Sequence, residues 1–298
     1  MTRGRFTPDW LALREPVDHR SRAQTLLPLL RTAWSANGWT RILDLGSGTG
    51  SNLRYLGPRL IGPQEWTLLD HDADLLAQAN DVEQVRCLKR LHGNLEDDGL
   101  VAIRKADLVT CAAVLDLVPE KWLRQLVQSC RAVLCGVFIA LTYDGVIRWS
   151  PDDPDDELVR EAVNAHQRRN QGAVCALGPA ASTLAETLFK AEGYRTLLLP
   201  SSWRLDVRDD ELARALVDGW EHAARELVGQ SDRSDKISAW ADRRRQATLG
   251  NFTLTVGHQD LLALPPNFDS THGDNVSRGM AASTECECWS AACFGVVA

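Results

Sequence analysis

Arg41-Ile42-Leu43-Asp44-Leu45-Gly46-Ser47-Gly48-Thr49-Gly50-Ser51-Asn52 is an apolar run that reaches an acidic residue, passes through alternating glycines and enters a polar stretch. Short apolar runs bounded by glycine read as strands, and closely spaced glycines let the backbone turn sharply and approach a ligand. A helix that starts directly after such a turn presents unpaired N–H groups to a carboxylate or phosphate. The stretch therefore predicts a strand, a cradle and a helix around a nucleotide-like cofactor. Support comes from the next apolar run, Trp66-Thr67-Leu68-Leu69, which ends at Asp70. That acid stands about twenty residues past the last glycine, where doubly wound nucleotide folds carry the carboxylate that grips ribose hydroxyls. Asp70 also reads as a simple cap for a helix beginning near Asp72. The agreement of two independent spacings favours the ribose role.

Outward from this core, apolar runs at 42–45, 66–69, 85–88, 108–111 and 133–141 alternate with helical patterns at 52–56, 73–79 and 119–130. Such alternation predicts βαβ units and a parallel sheet, an α/β, doubly wound class of fold. Upstream, Leu26, Leu27, Leu30 and Trp34 recur at helical spacing within 23–34, so residues 1–38 are expected to form a helical cap. Downstream, the acidic run Pro151-Asp152-Asp153-Pro154-Asp155-Asp156-Glu157 suits a helix start and predicts an insertion over about 151–170. A helix at 180–191 stops at Gly193 before a strand at 194–199. Helices at 209–228 and 232–247, within an insertion over 205–248, precede a last strand at 251–256.

The motif Asp44-x-Gly46-x-Gly48-x-Gly50 resembles the first motif of the class I S-adenosylmethionine-dependent methyltransferases, residue for residue. A dinucleotide fingerprint fits less well, because it wants its third glycine where Ser51 stands and has no need of Asp44. The resemblance runs well over about 40–145, through Gly93-Asn94-Leu95 and Ala106-Asp107-Leu108-Val109-Thr110-Cys111-Ala112-Ala113-Val114-Leu115-Asp116. It implies a Rossmann-like, mainly parallel seven-stranded sheet with a helical lid, in a domain over 39–264. It also implies that Gly46 and Gly48 pass under the methionine part, that Asp44 helps position its amino group and that Asp70 holds the ribose. His71 would pack on adenine and Asn94 face its amine. Ser47, Gly50, Asn52, Leu95 and Cys111 are expected in the same cofactor cleft.

On the acceptor side, Tyr143, His166 and Asp116 are candidate bases, with Tyr143 just past the fifth strand, at the sheet end where doubly wound folds bind ligands. Tyr143, His166, Arg169, Trp203 and Arg204 are candidate acceptor contacts, arginine for an acidic group and tryptophan for a ring. A solvated helix face and a core tryptophan explain the last four as readily. Two rivals stay open: an NAD-dependent oxidoreductase, and a non-catalytic S-adenosylmethionine-binding protein.

Composition narrows the partners. The chain has 298 residues, 44% hydrophobic and 24% charged, with 40 acidic against 33 basic residues and a formal net charge of −7. That balance opposes attraction to phosphate backbones, so nucleic acid is disfavoured and a small-molecule acceptor expected. The triplet Arg243-Arg244-Arg245 is offset by Asp235 and Asp242 on the same expected helix. No secretory leader is read at Met1 to Trp10, and the apolar run 132–141 is far shorter than the roughly 20 residues that span a bilayer. Eight cysteines without a disulfide pattern suit a reducing, cytoplasmic setting. A monomer or homodimer is expected, with no metal. From Pro265 the periodicity ends, so 265–298 is expected to be a disordered tail; Cys286, Cys288 and Cys293 with His272 are a weaker, metal-binding reading of it.

Overall fold

The computed structural model describes residues 6–168, 175–229, 232–266 and 268. Eight strands form a single sheet: β1 (Arg41–Leu45), β2 (Gln64–Asp70), β3 (Val85–His92), β4 (Leu108–Ala112), β5 (Gly136–Ser150), β6 (Arg195–Pro200), β7 (Trp203–Leu205) and β8 (Thr253–Leu264). Their order is β3-β2-β1-β4-β5-β8-β6, with the short β7 also paired to β8. The pairs from β3 through β5 are parallel, and β8 alone runs against its neighbours. The order reverses between β1 and β4, the switch point where the carboxyl ends of doubly wound strands leave a crevice. This is the expected mainly parallel α/β fold, with one strand more than the seven anticipated.

Side-chain alternation along the strands sorts the core into two layers. Ile42, Leu108 and Phe138 pack on one face; Leu43, Val109, Val137 and Ile139 pack on the other. The first face is covered by α1 (Pro8–Ser21), α2 (Leu26–Ala36), α3 (Ser51–Leu56) and α4 (Ala73–Ala77). The second is covered by the segment holding α5 (Leu100–Ala102), by α6 (Glu120–Val133) and by α8 (Ala181–Ala191). Three further helices, α7 (Asp156–Gln167), α9 (Asp210–Val228) and α10 (Asp232–Ala247), join the first layer. Asp44 shares the parity of Ile42, so it stands on the layer that carries the amino-terminal helices. That placement decides the composition of the site.

Three elements differ from expectation for identifiable reasons. The helix α1 has no apolar stripe, yet Thr7 caps it through its hydroxyl to the Trp10 N–H (3.2 Å) and Pro8 occupies its first turn. The strands β5 and β8 run well past 141 and 256 because they pair with each other, from Val137 opposite Ala263 to Ser150 opposite Thr253. That pairing is tertiary information, and it turns the mixed sequence after Leu141 into strand. The expected 265–298 tail, including Cys286, Cys288, Cys293 and His272, lies outside the described residues except for Pro265, Pro266 and Phe268. None of the described helices is long and apolar enough to cross a membrane.

Gly136 begins β5 against the ring of Trp39, and a Cβ at this position would stand 2.3 Å from Trp39 Cη2. Gly136→Ala therefore forces this ring aside, with an expected loss of about 1–3 kcal/mol, the usual scale of overpacking. Urea unfolding reads it as a lower midpoint at unchanged slope. An unchanged midpoint would mean that Trp39 yields without cost.

Candidate functional site

The glycine loop takes the shape its sequence predicts. Gly46, Gly48 and Gly50 have φ of 65°, 53° and 83°, a left-handed region that L side chains rarely adopt. A Cβ on Gly46 would also meet Val114 Cγ2 at 2.8 Å, and one on Gly48 would meet Leu11 Cδ1 of α1 at 3.1 Å. The loop is thus closely roofed by the segment after β4 and by α1. Asp70, at the end of β2, turns its carboxylate into this loop: Oδ2 accepts the Gly48 N–H at 2.7 Å and Oδ1 accepts the Asp72 N–H at 2.9 Å. Its Oδ1 also lies 3.2 Å from Nδ1 of His71, whose side chain is 64% exposed.

Beneath the loop lies a buried polar network. Asn52 Nδ2 donates to Asp44 Oδ1 at 3.0 Å and to Thr110 Oγ1 at 2.6 Å, while Asn52 Oδ1 accepts from Arg22 Nη2 at 2.9 Å. Asp44 is 1% exposed, and burial pushes its carboxyl up to about 7 despite the opposing Asn52 hydrogen bond and Arg22 charge. Among the described residues its Oδ2 has no hydrogen-bond partner, and neither has the Ser47 hydroxyl. Cys111, from β4, is buried beside the same group, and burial raises its thiol well above the usual range. Asn94 is exposed and caps the turn after β3, its Oδ1 accepting the Asp97 N–H at 2.6 Å. Leu95 is half-buried, and its carbonyl accepts the Trp122 indole N–H at 2.8 Å.

A second cluster sits where the parallel pairing of β4 with β5 ends, at Ala112 and Ala140. Tyr143 stands opposite His258 of β8, their rings 6.1 Å apart, and Trp203 of β7 lies 4.8 Å from the same imidazole. Arg14 of α1 lies over the Trp203 ring at 5.0 Å, while Asp18 accepts both from Arg14 and from the Trp203 indole at 3.0 Å. The Tyr143 hydroxyl donates to Asn164 Oδ1 of α7 at 2.8 Å. Burial lifts the Asp116 carboxyl to about 6, with the Arg14 charge opposing. Burial, assisted by Arg14, lowers His258 to about 3, so the ring is neutral at physiological pH. His258 Nδ1 lies 3.1 Å from the Val256 carbonyl, which assigns the proton to Nδ1 and leaves Nε2 the basic nitrogen.

The structure brings Tyr143, Asp116 and Trp203 towards one another and does not bring His166 or Arg204 to them. His166 pairs with Glu226 across α7 and α9 at 3.1 Å. Arg204 is exposed, as alternation along β7 requires when Trp203 is buried. Arg169 lies outside the described residues. Arg14, Asp18, Arg22, Asn164 and His258 were not anticipated. The first three belong to α1 and its exit, where no apolar stripe marks the helix; His258 lies just past the strand expected at 251–256.

Residues 42–135 match the methyltransferase domain family. Among solved structures, the chain is similar to a cyclopropane-fatty-acyl-phospholipid synthase-like protein from Lactobacillus casei. The two share 16% identity over 85% of this chain and 91% of that one, with a TM-score of 0.53. A methyltransferase from Geobacter sulfurreducens, solved with S-adenosyl-L-homocysteine, matches at 16% identity over 87% and 98% of the two chains, with a TM-score of 0.41. No curated protein matches the chain. The family match is confined to residues 42–135, and over the rest of the chain the likeness is one of fold.

The raised Asp44 carboxyl has a stability consequence. Folded protein holds this proton between the ordinary value of 3.8 and about 7, so the stabilisation linked to it is complete below about 4 and lost as pH rises through 7. Asp44→Asn removes the titration. Its stability relative to the wild type is expected to rise from about pH 5 to about pH 8, by no more than about 1.4 kcal/mol per pH unit. Urea midpoints at the two pH values read the change; a difference independent of pH would contradict the burial of this charge.

Proposed function

We propose that the chain transfers a methyl group from S-adenosylmethionine to a small-molecule acceptor enclosed beneath α1. The observation that carries this reading is the left-handed glycine loop with the Asp70 carboxylate turned onto Gly48. A cradle without Cβ atoms and an orphaned buried oxygen on Asp44 suit a ligand with an amino-acid portion and a ribose. Gly46 and Gly48 would pass under the methionine part with Ser47 and Gly50, Asp44 would face its amino group, and Asp70 would exchange its loop contacts for ribose hydroxyls. His71, Asn94 and Leu95 would border adenine, with Asn52 and Cys111 at the floor of the cleft. In this reading residues 39–264 are the methyltransferase domain and 1–38 its helical cap.

The bound cofactor supplies a methyl group activated by sulfonium. Displacement at such a carbon needs little covalent help, so alignment and exclusion of water account for most of the acceleration asked of the protein. Tyr143, Trp203 and His258 are all buried, which favours an acceptor that can be enclosed over a polymer. The Asp116 carboxyl, lifted to about 6, is the group suited to take a proton from an acceptor hydroxyl or amine, while His258, held neutral and weakly basic, would accept a hydrogen bond from the acceptor. Tyr143, held by Asn164, would orient the acceptor. The free, buried Cys111, Cys130 and Cys135 support a reducing, cytoplasmic setting.

Calorimetric titration with S-adenosylhomocysteine and, separately, with NADH tests the cofactor class. Only the first is expected to bind, and Asp70→Ala is expected to weaken it by about 1.5–3 kcal/mol, the scale of hydrogen bonds to a charged group. Unchanged affinity in the variant, or preference for NADH, would overturn the reading.

A further inference from the structure

Arg22 is the first residue after α1 and points inward. Its position is fixed from both sides. The next residue, Ala23, donates its N–H to Asp260 Oδ2 at 2.9 Å, and the same buried carboxylate accepts the Leu141 N–H at 2.8 Å through Oδ1. Arg22 itself is 3% exposed, with its guanidinium 4.9 Å from the centre of the Tyr55 ring. Only Nη2 is engaged, on Asn52 Oδ1. Among the described residues Nε and Nη1 have no hydrogen-bond partner, and no carboxylate forms an ion pair with this group.

A buried guanidinium with two unpaired donors is costly, since removing a charge from water without a partner costs several kcal/mol. Across Asn52 stands the complementary orphan, Asp44 Oδ2. One amide therefore bridges a cation and an anion, each with an unsatisfied edge. An α-amino acid zwitterion carries the matching pair, an ammonium and a carboxylate on a single carbon. Arg22 offers two donors to a carboxylate in the planar geometry that guanidinium groups favour.

We propose that Arg22 receives the α-carboxylate of the cofactor's amino-acid portion, opposite Asp44 on its ammonium, so that the site reads the intact zwitterion. This inference rests on the methyltransferase reading and adds a residue and a selectivity to it. The exit of α1 becomes part of the cofactor site, and the bound carboxylate ties the amino-terminal helix, with Arg14 and Asp18, over the acceptor cluster. Cleaved or decarboxylated forms of the cofactor are rejected because they leave the guanidinium unpaired.

The test is binding of the full chain to S-adenosylhomocysteine, to its decarboxylated analogue S-adenosyl-3-thiopropylamine, and to 5′-methylthioadenosine, read by calorimetry. The wild type is expected to prefer S-adenosylhomocysteine over the thiopropylamine by about 10–100-fold. Arg22→Gln is expected to lose that factor on S-adenosylhomocysteine alone, leaving the affinity for the thiopropylamine unchanged. Equal wild-type affinities, or a preference kept in Arg22→Gln, would overturn the inference while binding of all three compounds left the methyltransferase reading standing. Failure of all three to bind the wild type would overturn both. If circular dichroism shows Arg22→Gln unfolded, the wild-type ratio decides.

Discussion

A single carboxylate holds the site together. Asp70 ends β2, yet its oxygens bind the N–H of Gly48 in the loop after β1 and the N–H of Asp72 at the start of α4. Two βα turns are thereby fixed against each other at the switch point of the sheet. The glycines make this approach feasible, because a left-handed backbone with no Cβ brings the Gly48 amide within hydrogen-bonding distance. Displace that carboxylate and the cradle loses its wall as well as its proposed ribose partner.

Electrostatic discomfort collects beneath the glycine loop and in the cluster beyond β4 and β5. Asp44 and Asp116 are buried carboxyls held well above their ordinary range, His258 is a buried imidazole held well below it, and Arg22 has two donors without partners. Groups perturbed by burial in this way concentrate at functional sites. A well-packed apolar substitute would stabilise the fold more, so the cost is understandable if a zwitterionic ligand and a polar acceptor satisfy these groups on binding. The chain's two layers share this burden unequally. The face under α6 and α8 is almost wholly apolar, while the face under α1 to α3 carries Arg22, Asp44, Asn52 and Thr110.

The sequence disclosed the parts whose signals are local. Glycine spacing, the acid at the end of β1 and the acid at the end of β2 announce the cradle, and short apolar runs alternating with helical patterns announce the first five strands. What stayed hidden depends on contacts between distant segments. The outer half of β5 is strand only because β8 pairs with it, so His258 could not be placed opposite Tyr143 from sequence. The helix α1 shows its cap residue Thr7 but no stripe, because it lies over a polar site and uses Leu11, Arg14, Asp18 and, at its exit, Arg22 towards the protein. His166 and Arg204 looked plausible by residue type; helix phase turns the first to Glu226, and strand alternation turns the second to solvent.

The most direct test of the central claim is amide hydrogen exchange of the full chain with and without S-adenosylhomocysteine. Ligand occupying the glycine cradle slows exchange in peptides spanning 46–52 and 70–72, the turns that Asp70 joins, and leaves the α9–α10 pair unaffected. Unchanged exchange over 46–52 at saturating ligand, or protection confined to α9 and α10, would contradict the account.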